Sequence, residues 1–91
     1  MENRLFKQVC DFEDHITHEM EENTDDTGAL ISLAGGYACA YIPFFEEVKT
    51  DASDSMMLLK IYLNTLKKIE RAIIIATIRK MDKTFGGDKN E

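Results

Sequence analysis

Residues 28–45, GALISLAGGYACAYIPFF, contain no charged side chain, and this run constrains the fold more than any other feature of the sequence. Eighteen uncharged residues in succession have to leave water. They can do so in a bilayer, whose core takes ~20 such residues, or against other helices of the same chain. Ser32, Gly35, Gly36, Tyr37, Tyr41 and Pro43 dilute the hydrophobicity. Acids stand at both ends (Asp25, Asp26, Glu46, Glu47), with no cluster of Lys or Arg to fix an orientation. The expectation is a buried central helix over 28–49, kinked at Pro43 because proline removes a backbone donor. A small membrane-associated protein using 28–45 is the alternative. Ser32, Gly36 and Ala40 recur every fourth residue with Gly35 beside them, a face without bulk on which another helix backbone can pack closely.

The segments on either side are amphipathic. Leu5, Val9, Phe12, Ile16 and Met20 follow one another at spacings of 4, 3, 4 and 4, which predicts a helix over 3–22 with a narrow apolar stripe. Polar residues 21–27 end it, and Asp26 or Thr27 can cap the next helix. Thr50 to Asp54 is again polar and rich in capping residues, and a long helix over 55–84 follows, stopped by Gly86 and Gly87. A single proline and five glycines in 91 residues exclude a turn-rich β fold. The sequence therefore predicts an all-α bundle of about three helices: one domain over 1–85 and a flexible tail over 86–91.

The last helix shows two apolar stripes. Leu59, Tyr62, Leu66, Ile69, Ile73 and Ala76 alternate at three and four residues and form a seam toward the first two helices. Ile74, Ile78, Met81 and Phe85, with Ile75 beside them, continue the line of the polar residues Lys60, Lys67 and Arg71 on the other side. A 91-residue chain has few spare elements to cover this second stripe, so it reads as an intermolecular seam, most simply with a second copy.

Chemistry is sparse. The net charge of −6 disfavours a general attraction to nucleic acid or anionic membranes. The charge is divided: residues 1–54 hold thirteen acids and three bases, a net of −10, and residues 55–91 hold four acids and eight bases, a net of +4. Such halves tend to pack near one another. Asp11, His15, His18 and Glu22 have helical spacing suited to a divalent metal. They lie opposite the apolar stripe, amid Glu13, Asp14, Glu19 and Glu21, where a solvated acidic face is expected. A metal-binding bundle built on them is a second alternative. Cys10 and Cys39 read as near-core thiols without a neighbouring base, no phosphate-loop motif occurs, and no cofactor is implied. The basic residues Lys67, Lys68, Arg71, Arg79, Lys80 and Lys83 come late in the last helix, where they complement its dipole. With two thiols and no apolar leader, the expected setting is the cytoplasm. The expected function is non-enzymatic: a small acidic adaptor, regulator or inhibitor that binds another protein, as a homodimer.

Overall fold

The computed structural model describes residues 1–86, with the backbone alone for residues 85 and 86. It is an all-α bundle of three helices: α1 (Asn3–Glu22), α2 (Thr27–Val48) and α3 (Ala52–Met81), with a π-helical turn over Asp82–Gly86. No strand occurs among the described residues. Of the expected tail over 86–91, Gly86 falls in the π-helical turn, and 87–91, including the stop at Gly87, lie outside the described residues.

Both interhelical turns are set by aspartate caps. The Asp26 side chain accepts from the backbone N–H of Ala29 at 3.0 Å and starts α2. Asp51 accepts from the N–H of Asp54 at 3.0 Å and starts α3 three residues earlier than the polar run suggests. The Ser55 hydroxyl donates to the Val48 carbonyl, tying the end of α2 to the start of α3. Helix α2 continues through both Gly35–Gly36 and Pro43, as apolar residues on either side favour.

The chain is a rod measuring 61 × 19 × 15 Å. Its radius of gyration is 16.7 Å, against about 12 Å for a compact domain of this length. Helices α2 and α3 form the closest pair, and α1 lies along them. Leu5, Val9 and Ile16 of α1, Leu30, Tyr37, Tyr41 and Val48 of α2, and Leu58, Ile69 and Ala76 of α3 make up the buried apolar set. So narrow a rod leaves each helix one face outside.

Three expectations change here. Only 17% of the most apolar 18-residue window of α2 is buried, so the central helix is not enclosed: Ile31 and Ile42 are exposed. The α3 seam keeps Ile69 and Ala76 buried and Tyr62, Leu66 and Ile73 packed against the core, as expected, with its centre turned by about half a residue. Leu58, Thr65, Ile69 and Ala76 define its centre, and Leu59 falls to its edge, exposed. Cys10 and Cys39 are exposed, free thiols rather than near-core ones. All three follow from having two helices, not four, around α2.

Candidate functional site

Midway along the bundle a carboxylate points inward. Tyr37 and Tyr41 of α2 both donate their hydroxyls to Oε2 of Glu13, the first at 2.5 Å, and Thr65 of α3 donates to Oε1 at 2.5 Å. One acidic side chain of α1 thus collects hydroxyls from both other helices. Glu13 follows Val9 by one helical turn and falls on the edge of the apolar stripe, not on the acidic face with Asp14 and Glu21. The signal in the sequence was partial: Glu13 has core spacing after Val9 and two tyrosines stand one turn apart on an uncharged helix, but Thr65 lies outside the seam read from Leu59 to Ala76 and nothing joins the three.

Aromatic rings surround this cluster. Tyr37 lies between Phe12 and Tyr62, stacked on the first at 5.7 Å between centroids and on the second at 5.4 Å. Phe44 meets Tyr41 edge-on at 5.4 Å. Burial pushes the Tyr37 and Tyr41 hydroxyls well above the usual tyrosine value, and the hydrogen bonds to Glu13 act in the same direction. The arrangement pins three helices in one register. Both carboxylate oxygens accept from the chain's own hydroxyls, Oε2 from two and Oε1 from one.

The residues singled out as metal ligands do not converge. Asp11 pairs with Lys7 at 2.9 Å, His18 with Glu22 at 2.9 Å, and His15 faces the shallow α1–α2 groove beside Phe12 and Gly36. Among the described residues no three His, Cys, Asp or Glu side chains are grouped to hold an ion. Of the positions expected to pack closely, Ser32, Gly35, Gly36 and Ala40, only Ala40 is half-buried among the described residues. A Cβ at Gly35 or Gly36 would meet nothing within 4 Å, and Ser32 is exposed. The acidic and basic halves do meet at one end, where Arg79 reaches Asp25 at 3.2 Å.

The second stripe on α3 lies open. Ile74, Ile78 and Met81 are each 52% exposed, and Ile75 is exposed as well. The Phe85 side chain lies outside the described residues. The stripe is also longer than the sequence reading made it, because Met56 and Leu63, at 53% and 45% exposure, extend the same outward face toward the start of α3. Its mean direction is about 150° from the buried seam. Their signal was the heptad spacing 56, 60, 63, 67, 70, 74, 77, 81, which two lysines, a glutamate and a threonine interrupt. Comparison with family models, with curated proteins and with solved structures gives no match.

Proposed function

We propose that this protein is a non-enzymatic interaction module, a small adaptor, regulator or inhibitor of the cytoplasm, whose working surface is the outward face of α3 and whose basic unit is a homodimer. The observation that carries this reading is the row of large apolar side chains, Met56, Leu63, Ile74, Ile78 and Met81, left near half exposure along a 30-residue helix whose other face is closed. Single exposed apolar residues are ordinary, whereas a row of them on one face, clustered at Ile74, Ile78 and Met81, is characteristic of a binding surface. Each such side chain is already about half buried, so covering the rest gains roughly 1 kcal/mol apiece, and several together are needed to hold a second helix. Two exposed free thiols suit a reducing compartment. The test is sedimentation of the wild type beside Ile74→Asp/Ile78→Asp. The expected result is a dimer that becomes a folded monomer, since both positions are outside the monomer's core. A wild type that is monomeric at high micromolar concentration rejects the homodimer.

One observation favours a second reading, membrane association through α2. That helix is long and apolar enough to span a bilayer by length and composition, with a mean hydropathy of 1.4 over its best window, and most of the window is not buried. Recovery of the protein in the supernatant after flotation with liposomes rejects this reading; partition into the vesicles supports it.

A further inference from the structure

The outward face of α3 is arranged so that it complements itself when turned end for end. Its heptad positions, in order, are Met56, Lys60, Leu63, Lys67, Glu70, Ile74, Thr77 and Met81, at spacings of 4, 3, 4, 3, 4, 3 and 4. We infer that two copies pair through α3 in antiparallel fashion about a twofold axis between Lys67 and Glu70, so that Lys67 of each copy meets Glu70 of the other. This rests on the homodimer proposed above and specifies its register.

Reversing the list about its midpoint matches the residues in kind. Leu63 falls opposite Ile74, Met56 opposite Met81, and Lys60 opposite Thr77, with Lys67 and Glu70 at the centre. These are the alternating layers of an antiparallel two-helix seam, where the first core position of one heptad faces the second of the other. Of the eight layers, four pair apolar with apolar, two pair Lys67 with Glu70, and two set Lys60 against the neutral Thr77. A parallel, in-register pair would instead set Lys67 against Lys67 and Glu70 against Glu70, two repulsive layers in the middle of the seam. Sliding the antiparallel pair by one heptad places Lys67 against Leu63 in one direction or Glu70 against Ile74 in the other, and strands a charge against an apolar side chain. Only the register centred between Lys67 and Glu70 avoids both faults.

The monomer leaves these groups free to act. Lys67 and Glu70 are exposed, and among the described residues neither belongs to an ion pair, whereas Arg79, lower on the same helix, is engaged by Asp25. The face points away from α1 and α2, so a second helix can approach to the usual 8–10 Å without meeting either. A central ion pair in an otherwise apolar seam contributes alignment more than affinity, because it penalises every other register.

The experiment uses the full chain with Lys67→Glu and Glu70→Lys made separately. Within a homodimer, the first variant sets Glu against Glu and the second Lys against Lys, so each alone should dimerise at least about tenfold more weakly than wild type by sedimentation. Mixed together they place Glu opposite Lys in both central layers, and a heterodimer should form at near wild-type strength. In a Cys10→Ser/Cys39→Ser background, Leu63→Cys mixed with Ile74→Cys should cross-link between copies on oxidation, and neither should do so alone. In the proposed register like positions lie about 16 Å apart along the axis, too far for a disulfide. Charge variants that dimerise like wild type, or Leu63→Cys cross-linking to itself, overturn the register and leave the homodimer standing. A monomeric wild type overturns both.

Discussion

The inward and outward faces of α3 differ less in composition than in what meets them. Inward, Leu58, Ile69 and Ala76 are closed over by α1 and α2, and the one buried hydroxyl there, on Thr65, donates to Glu13. Outward, Leu63, Ile74 and Met81 are left about half exposed. Hydrophobicity alone does not say which face is the core. What distinguishes them is polar matching: the inner face supplies one hydroxyl with one acceptor, and the outer face carries Lys67 and Glu70, neither of which belongs to an ion pair among the described residues. A core is finished when its polar atoms are answered, and by that criterion α3 has one finished face and one unfinished.

The sharpest way to break the inner face is to remove its acceptor. Glu13→Ala leaves three inward hydroxyls without a partner, and a loss of about 3–5 kcal/mol in urea unfolding is expected. Ile74→Asp, which changes only the outer face, should leave monomer stability within about 0.5 kcal/mol while abolishing self-association. If Glu13→Ala is as mild as Ile74→Asp in that melt, the contrast between the faces fails.

A smaller effect should appear with pH. Tyr37 and Tyr41 have raised values in the folded protein, so above pH ~10 the unfolded chain releases protons that the folded chain retains. Stability should therefore be full below that pH and fall as pH rises through the alkaline range. Tyr37→Phe/Tyr41→Phe should flatten this fall while lowering neutral stability by about 1–3 kcal/mol through the two lost hydrogen bonds. A wild-type alkaline profile no steeper than that of the double variant would show that the hydroxyls are not held as described.

The smallest expected change has the opposite sign. Gly35 and Gly36 sit within a continuous helix with open space where a Cβ would go, so Gly36→Ala should stabilise by about 0.5–1 kcal/mol. Destabilisation measured in the monomeric Ile74→Asp background would place a neighbour against that face.

The sequence made parts of this plain and hid others for physical reasons. The first helix was legible almost to the residue, because Leu5, Val9 and Ile16 form a stripe narrow enough to have one reading. The all-α class and the capped turn at Asp26 followed in the same way. The inward turn of Glu13 was not legible: a glutamate beside Asp14 on an acidic helix looks solvated until two tyrosines and a threonine from distant positions are brought to it. The enclosure of α2 was overread, because the absence of charge marks a surface that water should leave, not the partner that covers it. The α3 seam was legible except at its start, since Leu58 and Leu59 serve the period nearly equally and the docking of the other helices buries Leu58. The open stripe was located, yet its N-terminal half at Met56 and Leu63 was masked by Lys60 and Lys67 between them.

The most direct measurement of the central claim is sedimentation equilibrium of the wild-type chain from low to high micromolar concentration in physiological salt. A reversible monomer–dimer equilibrium is expected, with the mass of two chains reached at the upper end and lost in Ile74→Asp/Ile78→Asp. A single-chain mass throughout would contradict it, and the outward face of α3 would then belong to a different protein.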